Sequence, residues 1–208
     1  MIQALIAPCL AANIFWFFLF SPATAGLMNF WAGMSVAAGS LALTAILAQR
    51  RNPVNHQRFK PSDMAIGIIS AVILYGLFWA GHAISTRLLP FAHDQVVHIY
   101  ATKDQLSPVL IALLLAFWIG PAEEIFWRGF VQQRLAGIFG ANKGYMIATV
   151  LYAGVHVYAM NFMLFMAALI CGAFWGYLYR RSGSLWSVII SHALWDVIIF
   201  VVLPIRKY

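Results

Sequence analysis

The chain has 208 residues, 63% of them hydrophobic and 9% charged, and 13 Lys+Arg against 6 Asp+Glu give a net charge of +7. Soluble globular domains are about 45–50% apolar and about 25% charged, so this composition argues against a soluble domain and a disordered chain. It also argues against a nucleic-acid binder despite the basic balance, because the basic residues fall between apolar runs, where membrane topology places them. The class it predicts is all-α: a polytopic transmembrane helix bundle of about seven helices (six to eight), multi-pass in the bilayer, with a buried polar site among its C-terminal helices.

A bilayer core about 30 Å thick takes roughly 20 apolar residues per helix. Segments 2–20, 27–48, 64–85, 108–135, 144–160, 162–180 and 185–203 qualify. The first could pass for a signal peptide cleaved at Ala23-Thr24-Ala25, but no Lys or Arg precedes it, so it is read as a retained helix. Ser21-Pro22 ends that helix. Asn52-Pro53 and Lys60-Pro61 punctuate the next connection, and Ser62 and Asp63 can cap the third helix. Ser107 caps the fourth, with Pro108 at its first position. The interval Gly140 to Gly144 breaks the chain again, and Ser182-Gly183-Ser184 separates the last two helices.

If seven spans alternate, Arg50, Arg51, Arg58, Lys60, Arg128, Arg134, Lys143, Arg180 and Arg181 share one side, against Arg87, Lys103, Arg206 and Lys207 on the other. That bias favours a cytoplasmic N-terminus. Cys9 and Cys171 sit in apolar runs and read as packing residues. His82, His93, Asp94, His98, Lys103 and Asp104, around 86–107, read as a solvated connection, and His56 as exposed. Phe15, Trp16, Trp31 and Trp186 fit interfacial aromatic belts. There is no internal repeat, no GxGxxG and no Walker sequence.

Charges inside the apolar segments carry the chemistry, because each costs roughly 2.5–3.5 kcal/mol at a helix centre. The only glutamates, Glu123 and Glu124, are adjacent in the fourth segment and precede Arg128. His156 lies in the fifth segment, and His192 and Asp196 in the seventh. Glu124 and Arg128 are four residues apart and share a face, in the favourable acid-before-base order. Glu123 points about 100° away and is free to act as a base. His192 and Asp196 also share a face, so Asp196 can fix the imidazole tautomer or present its own oxygen. Each residue alone could be structural, as a Glu–Arg clamp or a helix-bridging histidine. Together, on three helices of a nearly charge-free bundle, they predict one shared site.

The order Glu123-Glu124-x-x-x-Arg128, aromatic-x-x-x-His156, His192-x-x-x-Asp196 resembles the CPBP family: type II CAAX prenyl endopeptidases and bacteriocin-processing enzymes, also called the ABI family. Ser182-Gly183-Ser184-Leu185-Trp186 before Ser191-His192-Ala193-Leu194 is similar to the third motif and its lead-in. The likeness covers about 108–200. It makes 108–203 the CPBP-like catalytic core and 1–107 an N-terminal scaffold within a single membrane domain. Tyr152 replaces the usual Phe, and Asp196 stands where many members have Asn.

The resemblance implies an intramembrane peptidase acting on a peptide or protein with a membrane-proximal cleavage site. Glu123 and His156 would activate water, Glu124 and Arg128 would position Glu123, and His192 and Asp196 would stabilise the oxyanion. Candidate substrates are a prenylated CAAX tail, a bacteriocin leader or a C-terminal sorting signal. Compact size and the lack of a soluble domain favour a prokaryotic peptide-processing role, in a prokaryotic plasma membrane, over eukaryotic CAAX removal. Zn²⁺ on Glu123, His156 and His192 is possible. There is no HExxH pattern, however, and Arg128 would repel the ion, so metal-free catalysis without any cofactor is favoured. A hydrophilic cavity enclosed by the last four segments is expected. Non-enzymatic alternatives are a bacteriocin immunity protein and a proton-coupled transporter, although the latter predicts inverted repeats.

Overall fold

The computed structural model describes residues 2–51 and 58–205. The Asn52-Pro53 break, His56, Arg206 and Lys207 lie outside the described residues. The described chain is helical, and six helices are long and apolar enough to cross a membrane: α1 (Gln3–Phe20), α2 (Phe30–Arg51), α3 (Pro61–Leu88), α5 (Pro108–Phe139), α7 (Phe162–Ser182) and α8 (Leu185–Val202). Between them lie the shorter α4 (Ala92–Tyr100) and α6 (Ala141–Gly154).

The fifth predicted span is therefore not one long α-helix. α6 has 14 residues and is finished by a 3₁₀ turn, Val155–Ala159. The helix rises roughly 21 Å and the turn adds about 10 Å. Met160 then turns left-handed at φ 49°, and Asn161 caps α7 by accepting from the Leu164 N–H at 2.9 Å.

Most punctuation in the sequence acts as expected. α1 stops at Ser21. The Ser107 hydroxyl accepts from the Leu110 N–H at 3.4 Å to open α5 on Pro108. Gly140 (φ 84°) and Gly183 (φ 66°) supply the left-handed turns before α6 and α8. Asp63 works three residues inside α3, where its carboxylate accepts from the Lys60 N–H at 2.8 Å and from the Ser187 hydroxyl at 2.9 Å. That second bond ties α3 to α8. The break expected over 140–144 falls at its first residue, and Gly144 is already helical. It lies inside α6 because a Cβ there would collide with the Ala136 backbone of α5.

α5 carries the first motif, and its form follows from Pro121. Proline lacks an N–H and crowds the preceding turn. The helix widens just before it into a π segment, Leu115–Ile119, where the Gly120 N–H reaches back to the Leu115 carbonyl. A second π segment, Trp127–Gln132, begins one residue before Arg128, and such bulges are frequent at functional sites. Glycine at 120 fits this widened turn, since a Cβ there would stand 2.8 Å from the Leu115 carbonyl oxygen, and the Ala193 backbone of α8 packs against the same face.

Residues 86–107 are helical rather than a loop, although His93, Asp94, His98 and Asp104 are exposed as expected, whereas His82 is buried in α3. α4 and a 3₁₀ turn, Ala101–Gln105, form a strap with Ala92, Val96 and Tyr100 buried beneath it. Apolar alternation at helical spacing was diluted there by the charged residues of the outer face. The strap is pinned at both ends: the Asn161 amide donates to the Gln95 carbonyl at 2.9 Å, and the Phe30 N–H donates to the Gln105 side chain at 2.6 Å. The aromatic-belt reading fails for two tryptophans. Trp16 and Trp31 are buried, and the Trp31 indole donates to the Thr102 carbonyl at 2.9 Å. Trp186 remains exposed.

Candidate active site

Three helices bring the predicted polar residues together. Glu123, Glu124 and Arg128 come from α5, His156 from the turn ending α6, and His192 and Asp196 from α8. All but the partly exposed Asp196 are buried. Glu123, His156, His192 and Asp196 line one cavity of ≈ 670 Å³.

Glu124 is fully buried and held on one oxygen. Arg128 Nη1 donates to its Oε1 at 2.7 Å, and the Nδ1–H of His192 donates to the same atom at 2.6 Å. Nε2 of His192 lies 3.3 Å from Oδ2 of Asp196. The four groups form a chain of alternating sign, in which each buried charge has a partner, as a low-dielectric site requires. Trp175 of α7 stacks on His192 with ring centres 3.8 Å apart and planes at 22°. The Arg128 guanidinium lies 4.6 Å from the Tyr152 ring centre and 5.5 Å from that of Trp175.

Glu123 is set differently. Its Oε2 accepts from the Tyr152 hydroxyl at 3.3 Å, and the side chain faces the cavity rather than the lipid. His156 is engaged at both nitrogens: Nδ1–H donates to the Tyr152 carbonyl at 2.8 Å, and Nε2 accepts from the Trp16 indole N–H at 3.2 Å. These partners define a neutral imidazole with its proton on Nδ1.

Zinc does not fit these donors as arranged. The Nε2 lone pair of His156 is taken by an indole N–H, both His192 nitrogens face carboxylates, and Arg128 sits on Glu124. Among the described residues no three His, Cys, Asp or Glu side chains converge as metal ligands.

The cavity differs from the expected one. Its wall is mainly apolar, and α1 to α4 contribute to it through Phe20, Trp31, Phe78 and Tyr100, as does His82, buried in α3. The N-terminal half therefore completes the pocket. Sequence reasoning missed Trp16, the Tyr152 hydroxyl and Trp175. Trp16 and Trp175 are long-range partners without local signature. Tyr152 was visible only as an aromatic residue four positions before His156.

Residues 105–198 match the family model described as type II CAAX prenyl endopeptidase Rce1-like. Neither a curated protein nor a solved structure matches the chain. The matched stretch contains all three motifs and runs from the start of α5 into α8, within a bundle built for the membrane. Over this stretch, a little under half of its length, the multi-pass membrane protein is similar to the Rce1-like type II CAAX prenyl endopeptidases.

Proposed function

We propose that this protein cuts a peptide bond in or beside the membrane with a water activated by Glu123, without a metal. The observation that carries this reading is the inequality of two adjacent carboxylates. Glu124 is locked by Arg128 and His192, whereas Glu123 faces a 670 Å³ cavity with a single hydroxyl on one oxygen.

In this mechanism the substrate lays its scissile bond along the cavity wall between α5 and α8. Glu123 takes a proton from water as the oxygen attacks the carbonyl carbon. His192, fixed through Nδ1 by Glu124, offers its Nε2–H beside Asp196 to the developing oxyanion. Glu123 then returns the proton to the leaving amine. Glu124 and Arg128 hold this geometry without touching substrate. His156 joins as a second water partner by exchanging its indole bond for the water.

The apolar wall suits a substrate whose membrane anchor lies next to the cleaved bond, and the family description makes a prenylated CAAX tail the first to try. The test is cleavage of a fluorogenic prenylated CAAX peptide by the protein in proteoliposomes, with and without 1,10-phenanthroline. Cleavage unaffected by the chelator is expected. Failure to cleave rejects the substrate, and chelator-sensitive cleavage restored by zinc rejects the metal-free base.

A further inference from the structure

Tyr152 touches three members of the site at once. Its hydroxyl donates to Glu123 Oε2, its carbonyl accepts from His156 Nδ1, and its ring lies 4.6 Å under the Arg128 guanidinium. The ring itself has little freedom. Trp127 packs edge-on at 5.4 Å and 82°, and the His156 ring centre is 5.2 Å away. On the α7 side Gly172 makes the room, since a Cβ there would stand 3.1 Å from Tyr152 Cδ1. The hydroxyl is thus delivered to Glu123 by a ring whose place is set by packing on several sides.

We propose that Tyr152 is a positioning residue for the base: its hydroxyl holds Oε2 of Glu123 and leaves Oε1 for the attacking water. This rests on the reading of Glu123 as the base. A carboxylate on two flexible bonds explores several rotamers, and a misplacement of about 1 Å can cost 100-fold in rate. One directed hydrogen bond from a rigid ring selects a single rotamer before substrate arrives. Removing it lowers the rate of the chemical step and leaves substrate binding alone.

The chain makes the test direct. It has two glutamates only, at 123 and 124, so cell-free synthesis with δ-¹³C-glutamate gives two carboxyl resonances. Glu123→Gln removes one of them and so assigns it. In proteoliposomes, Tyr152→Phe should move the Glu123 resonance, leave that of Glu124, and preserve the unfolding midpoint. With the prenylated CAAX peptide it should lower kcat roughly tenfold at unchanged KM. Glu123→Asp, which withdraws the carboxylate by one methylene from an intact Tyr152, should lower kcat at least as far, with no further loss in the double variant.

An unmoved Glu123 resonance, a wild-type kcat, or a rise in KM alone overturns the proposal. A Glu123→Gln protein that still cleaves removes the base, and this proposal with it. An inactive Glu123→Gln beside an unaltered Tyr152→Phe removes this proposal alone.

Discussion

Two polar clusters meet at the cavity, and they are built on opposite principles. Between α5 and α8 the groups are ionisable and paired in series, with Arg128, Glu124, His192 and Asp196 linked at 2.7, 2.6 and 3.3 Å. Between α6 and α1 they are neutral: His156 donates a hydrogen bond to a backbone carbonyl at 2.8 Å and accepts one from an indole N–H at 3.2 Å. A buried ionic chain survives only as a complete set, because removing one member strands a charge in low dielectric. A neutral donor–acceptor pair loses only a hydrogen bond. Glu123 borders both clusters, and Tyr152 alone links it to the neutral one.

The contrast is sharpest at Arg128. Arg128→Ala leaves Glu124 buried beside His192 without its guanidinium, and the expected loss is about 3–5 kcal/mol of stability, read as a lower unfolding midpoint in detergent. An Arg128→Ala protein as stable as wild type would show that the ionic chain is not what holds α5 to its partners. At His192 the effect falls on the reaction as well as on stability, since the same side chain is a member of the ionic chain. His192→Ala removes the proposed oxyanion donor and should lower kcat about 10²–10³-fold, measured on the prenylated CAAX peptide. A loss confined to KM would reassign His192 to substrate binding.

The neutral cluster should respond least. Trp16→Phe keeps a ring beside His156 and deletes only the indole donor, for an expected cost of about 1 kcal/mol in unfolding free energy. A loss as large as that of Arg128→Ala would mean that the two clusters are not different in kind.

The same contrast explains what the sequence made legible. Glu124–Arg128 and His192–Asp196 are each four residues apart, so their pairing followed from spacing, and it survives although Arg128 lies in the second π segment. The bond between Glu124 and His192 is a matter of α5 meeting α8, two segments 68 residues apart. No periodicity encodes that approach. Trp16 was misread because tryptophan near a span end is usually interfacial, and its partner His156 lies 140 residues away. The strap formed by α4 was misread because nine residues with a polar outer face leave too short an apolar pattern. The fifth span looked continuous because apolar composition does not distinguish an α-helix from the 3₁₀ turn that ends it.

In the proposed reaction the carboxylate left free by the ionic chain performs the chemistry. Its most direct test is the single-turnover rate of Glu123→Gln on the prenylated CAAX peptide, taken with its unfolding midpoint. A protein as stable as wild type whose cleavage has fallen by about 10²–10⁴-fold, the contribution of a general base, is the predicted result. Cleavage at the wild-type rate by a folded Glu123→Gln protein would contradict it.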